Sequence, residues 1–133
     1  FRNHLRPLVC VGEPDRASDP TEAVAAVTAQ LDRAVSTAVA DGLAGPLTVA
    51  YEPVWAIGAP APAPDEHIVT VLAGIEQHLG TRPELHGSTV LYGGSAGPGL
   101  LTRGQGRIGG LFLGRFAHDP AAVEAILDEV AAD

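Results

Sequence analysis

Thr48-Val49-Ala50-Tyr51-Glu52-Pro53-Val54-Trp55-Ala56-Ile57-Gly58 opens as a short apolar run with β-branched residues and breaks at a carboxylate followed by proline. The run predicts a strand, and Glu52 falls where that strand ends. Three more runs read the same way: Leu8-Val9-Cys10-Val11, Thr89-Val90-Leu91-Tyr92 and Leu111-Phe112-Leu113. All four are nearly continuous in apolar character, as expected for parallel strands covered on both faces. On that reading Cys10 is a buried apolar residue within its strand.

The segments between the strands have helical period. Val24, Val27, Leu31, Val35 and Ala38 form one stripe on a helix from about Thr21 to Val39, with Asp19 as cap, Pro20 in the first turn and Gly42 as the stop. Ile68, Val71, Leu72, Ile75 and Leu79 mark a second helix from Pro64-Asp65 to Gly80, and Val123, Ile126, Leu127 and Val130 a last one opening at Asp119-Pro120. Strands alternating with helices predict right-handed βαβ units, hence an open doubly wound sheet or part of a (β/α) barrel. Ala59-Pro60-Ala61-Pro62-Ala63-Pro64 is too short for a domain linker, and its prolines favour extended geometry.

Composition narrows the function. The chain has 133 residues and a formal net charge of -8, and its 8 basic residues are all arginines, scattered without a basic run. No nucleic-acid or anionic-membrane footprint is expected, and no stretch approaches the roughly 20 apolar residues that span a bilayer. One cysteine precludes an internal disulfide, so the cytosol is the expected compartment. With Phe1 in first place and no methionine anywhere, the chain reads as a truncated piece of a larger protein. His4, His67, His78, His86 and His118 show no metal-ligand spacing and are expected in surface or capping roles. Neither a Gly-x-Ser-x-Gly elbow nor a Walker loop is present.

In parallel α/β folds, chemistry gathers just beyond the carboxyl ends of the strands. There the sequence places Gly12-Glu13, Glu52 to Gly58, Gly93-Gly94-Ser95 and Gly114-Arg115. Glu52 is the candidate general base, with Pro53, Trp55 and Ile57 available to cover it, dry it and raise its proton affinity. The two glycine turns offer backbone N–H groups, at the openings of short helices, to a phosphate that no lysine can hold. The combination suggests a small phosphorylated substrate handled by an acid or base.

Pro7-Leu8-Val9-Cys10-Val11-Gly12-Glu13, Ala50 to Gly58, Tyr92-Gly93-Gly94-Ser95 and Leu113-Gly114 before Asp119-Pro120 together resemble the triosephosphate isomerase family. The resemblance covers essentially the whole chain and implies four parallel strands with their helices, the C-terminal half of a (β/α)8 barrel from the fifth strand onward, with the N-terminal half missing. It implies a base, Glu52, that shuttles a proton between the carbons of an α-hydroxy carbonyl through an enediolate, interconverting glyceraldehyde 3-phosphate and dihydroxyacetone phosphate. Pro53 to about Ala61 becomes a lid hinged at Trp55, with Ile57 and Phe112 clamping Glu52. Gly58, Ser95, Gly114 and Arg115 hold the substrate phosphate. Tyr92 secures the closed lid, and Glu13 and Cys10 support the site from the first strand. No cofactor or metal is implied, and the whole enzyme is expected to be a cytoplasmic homodimer of glycolysis and gluconeogenesis.

Departures from the family pattern matter as much. Arg115 and Phe116 stand where glycine and a small residue are usual, and Phe112 where leucine is. Pro60 lacks the N–H that would close the lid onto Ser95. With Gly97-Pro98-Gly99, these features look more like relatives acting on four-carbon ketose phosphates such as erythrulose phosphate. Two other readings stand beside this one. A non-catalytic phosphate-binding half-barrel follows if the family's histidine, lysine and asparagine lie outside the chain, which alone would then show negligible turnover. A glycosidase would need a second carboxylate at about 5–9.5 Å from Glu52, with Glu13 the evident neighbour.

Overall fold

The computed structural model describes residues 1–16 and 19–131. Three strands, β1 (Leu8–Val11), β2 (Thr48–Tyr51) and β3 (Thr89–Tyr92), form a parallel sheet in that order. Val11, Tyr51 and Tyr92 stand side by side at its carboxyl edge, so the three following loops leave from one level. The helices are α1 (Pro20–Ala40), α2 (Asp65–Gly80), α3 (Leu100–Gly104) and α4 (Pro120–Ala131).

Helix α1 begins where its cap was expected: the Asp19 carboxylate accepts from the Thr21 N–H at 2.9 Å and Pro20 opens the first turn. Its stripe of Ala23, Val27, Leu31 and Val35 is buried, as is the stripe of Ile68, Val71, Leu72 and Ile75 on α2. Both stripes close on the sheet face that carries Val49, Tyr51 and Tyr92, all fully buried. Each fully buried aliphatic side chain contributes about 1.5–3 kcal/mol. Arg6 binds the other end of the sheet, donating to the Thr48 and Thr89 hydroxyls and to the Leu47 and Gly87 carbonyls.

Three expectations are corrected. The run Leu111-Phe112-Leu113 is no full strand but a single parallel bridge, Tyr92 to Leu111. It pairs on one side only, and Gly109-Gly110 lead into it, which weakens ladder propagation. The sheet is not covered on both faces. Strand alternation puts Leu8 and Cys10 opposite the helices, where Leu8 is 46% exposed and Cys10 is exposed, not buried. On α4, Ala122 and Ile126 are buried, while Leu127 and Val130 of the expected stripe face outward. No helix among the described residues is long and apolar enough to cross a membrane.

Candidate active site

Beyond the carboxyl edge of the sheet, Glu52, Ile57, Gly58, Ser95, Gly114 and Arg115 line one cavity of about 160 Å³. The expected base and all four expected phosphate contacts therefore meet in one place. Larger hollows of about 510 and 400 Å³ lie elsewhere on the surface and contain none of these residues. Among the described residues, no hydrogen bond takes up the backbone N–H of Gly58, Ser95 or Gly114. Gly114 precedes a short 3-10 turn, Arg115–His118, but the Ser95 turn does not open a helix, because α3 starts only at Leu100.

Local sequence is shaped by close approach around Glu52. A Cβ on Gly93 would lie 2.5 Å from Glu52 Cγ and 2.9 Å from its Oε1. Gly93 is therefore what leaves room for the carboxylate, and not merely a turn residue. Ser95 sits at φ 55, in the left-handed region that a residue with a Cβ avoids at a cost of about 1 kcal/mol or more. That backbone turn aims its hydroxyl at the 53–63 segment, donating to Ala56 O at 2.7 Å and Ala59 O at 3.1 Å.

The Ala59 carbonyl also accepts from Arg115 Nη2, at 2.6 Å. Pro60 indeed has no N–H to offer, and the segment is instead held through its carbonyls by Ser95 and Arg115. At its far end the Ala63 N–H donates to Tyr92 Oη at 3.0 Å, and that hydroxyl donates to Gly94 O at 2.7 Å. Burial pushes the Tyr92 hydroxyl up to about 12, so it remains protonated and able to donate across the neutral range. The Phe116 ring fills the space beside Gly97, where a Cβ would come within 2.6 Å of it, so these two departures from the family pattern form a matched pair.

Cys10 lies beside Glu52 on the open face. Partial desolvation raises its thiol pKa, and the neighbouring Glu52 carboxylate raises it further. The expected clamp over Glu52 is not in place: Ile57 lines the cavity but is 55% exposed, and Phe112 does not line it. Trp55 does not line the cavity either, and donates from Nε1 to Glu13 Oε1 at 2.9 Å. Glu13 is itself buried and supports the segment from the end of β1. Arg16 stacks over the indole, 5.4 Å from its ring centroid.

Sequence reasoning missed His67. It was expected in a surface or capping role, but it is buried in the first turn of α2, with Nε2 2.9 Å from Tyr51 Oη and 3.3 Å from Glu13 Oε1. His78 is also partly enclosed, against Asp32 at 2.9 Å.

The chain is similar to known proteins along nearly its whole length. The family model described as triosephosphate isomerase matches residues 1–130. An L-erythrulose-1-phosphate isomerase from Pectobacterium atrosepticum is 49% identical over 97% of this chain and 49% of its own length. A second protein of that name, from Rhizobium etli, is 36% identical over 98% of the chain and 49% of its own length. A triosephosphate isomerase from Moritella marina is 34% identical over 93% of the chain and 50% of its own length. The chain thus spans about half the length of the curated relatives it matches. A sheet edge carrying Glu52 and the glycine turns in family order, matched by the family model over nearly every residue, makes this chain a member of the triosephosphate isomerase family.

Proposed function

We propose that this chain is the base-bearing half of a (β/α)8 aldose–ketose isomerase that acts on a phosphorylated sugar. The observation that carries the reading is the convergence of Glu52 with the free N–H groups of Gly58, Ser95 and Gly114 and the guanidinium of Arg115 on one small cavity. An anion at those N–H groups is fixed at one end, which leaves the carbon chain to run toward Glu52. Glu52 takes a proton from the carbon beside the carbonyl, an enediolate forms, and the same carboxylate returns the proton to the neighbouring carbon. No redox cofactor is consumed, because one carbon is oxidised as its neighbour is reduced.

Between the two substrates considered, a four-carbon ketose phosphate is the better supported. The relative sharing 49% identity bears the name of an erythrulose phosphate isomerase, against 34% for the triosephosphate isomerase from Moritella marina. Arg115, Pro60 and the Gly97–Phe116 pair alter the lid and the phosphate turn together. The glycosidase reading leaves the anion-binding turns without a purpose, and Glu13 is already bound by Tyr51 and Trp55. The intact enzyme is proposed to be a cytoplasmic homodimer.

The test is a chimera in which this chain replaces the matching half of the Pectobacterium atrosepticum relative, assayed on erythrulose 1-phosphate and on dihydroxyacetone phosphate. The reading expects turnover of both with a higher kcat/KM for the four-carbon sugar, and negligible turnover by the 133-residue chain alone. A preference for the triose phosphate would overturn the four-carbon assignment. A folded chimera with no activity on either would favour the non-catalytic phosphate-binding half-barrel.

A further inference from the structure

Glu13 Oε1 accepts from Tyr51 Oη at 3.0 Å and from Trp55 Nε1 at 2.9 Å, and lies 3.3 Å from His67 Nε2. Tyr51 has one hydroxyl hydrogen, and Glu13 takes it. The contact of 2.9 Å between Tyr51 Oη and His67 Nε2 therefore requires the hydrogen to sit on the imidazole nitrogen. The single Nε2–H of His67 is thus shared between Tyr51 Oη and Glu13 Oε1, with the shorter contact to the hydroxyl.

Burial, together with the nearby Glu13 charge, drives the Tyr51 hydroxyl far above its ordinary range, so it keeps its hydrogen. The second Glu13 oxygen is buried and has no hydrogen-bond partner among the described residues. The carboxylate is then stabilised through donors on one oxygen, which makes each of them expensive to remove. The imidazole also meets the Trp55 indole edge-on, with centroids 5.5 Å apart at 76°.

Position along the chain gives this cluster its meaning. Trp55 stands at the early end of the 53–63 segment. His67 lies in the first turn of α2, just past the late end, where Ala63 is pinned to Tyr92. Tyr51 packs against Tyr92 with centroids 5.9 Å apart. The early end therefore bonds the buried Glu13 carboxylate directly, and the helix that follows the late end reaches the same carboxylate through His67.

We propose that His67 is a positioning residue that ties the two ends of the 53–63 segment together through Glu13 and Tyr51, so that they move as one. The inference rests on that segment being the lid of the proposed site, but its test needs no substrate, so failure of the isomerase reading leaves this result separately readable. Trp55 is the single tryptophan and reports the early end by its emission; the Ala63 amide reports the late end by hydrogen exchange.

Wild type, His67→Leu and His67→Gln of the full chain are compared by acrylamide quenching, emission maximum and exchange at Ala63, with thermal midpoints measured alongside. His67→Leu is expected to red-shift and expose Trp55 and to speed exchange at Ala63. His67→Gln, which keeps an N–H donor, restores both even where its midpoint stays lowered. If His67→Leu does not fold, His67→Asn, whose shorter amide falls short of Glu13, takes its place. Either end remaining as in wild type in the donor-lacking variant, or a glutamine variant as perturbed as it, would overturn the proposal.

Discussion

Arg115 Nη2 donates to the Ala59 carbonyl at 2.6 Å, so the side chain that could grip an anion also holds the segment above the cavity. Ser95 shares that carbonyl, and Pro60 follows it without an N–H. The segment is latched here by its carbonyl acceptors, and the latch carries a positive charge. On the proposed function, an incoming phosphate gathers the segment and the guanidinium together.

Arg115→Ala in the chimera is expected to raise KM for the sugar phosphate roughly tenfold, in line with about 1.5 kcal/mol for a charge-assisted hydrogen bond. The exposed position limits any effect on stability, so the thermal midpoint should hardly move. Steady-state kinetics beside a melting curve checks both. An unchanged KM would show that Arg115 serves neither latch nor anion.

Cys10 should be slow to alkylate despite its exposure, because partial desolvation and the neighbouring Glu52 carboxylate favour the neutral thiol over the reactive thiolate. Glu52→Gln removes the negative charge, lowers the thiol pKa and should speed iodoacetamide labelling at pH 8. The pH dependence of the labelling rate measures this directly. The same rate in both proteins would separate Cys10 from Glu52.

Gly93→Ala places a methyl group 2.5 Å from Glu52 Cγ, closer than carbon atoms can approach without a shift. The carboxylate must swing away, so kcat in the chimera should fall well below wild type while the chain still folds. Kinetics with circular dichroism tests it, and an alanine variant of normal kcat would place Glu52 elsewhere during turnover.

Most of the scaffold was legible because local signals and tertiary packing agree. Asp19-Pro20 set the start of α1, and Thr48 to Tyr51 could hardly be read as anything but a strand. The cavity-lining residues Glu52, Gly58 and Ser95 were legible for a different reason: they follow strands that end at one level. What failed was what depends on neighbours. A continuous apolar run does not say whether both faces are covered, so Cys10, expected to be buried, is instead exposed on the open face. Leu111 to Leu113 has the composition of a strand but lacks the second partner that would extend its ladder. His67 looked like a polar residue in a charged first turn beside Asp65 and Glu66. Its signal was its place four residues before Val71 on the buried stripe of α2, which is costly for a polar ring unless partners await it. Those partners, Glu13 and Tyr51, come from two other loops and strands.

If Glu52 moves the substrate proton, exchange of that proton with deuterated solvent, followed beside turnover in the chimera and its Glu52→Gln variant, reads that step. Both rates are expected to fall by about 10²–10⁴ with KM changed little, since only the acid–base group is lost. Exchange and turnover within tenfold of the unsubstituted chimera would contradict it.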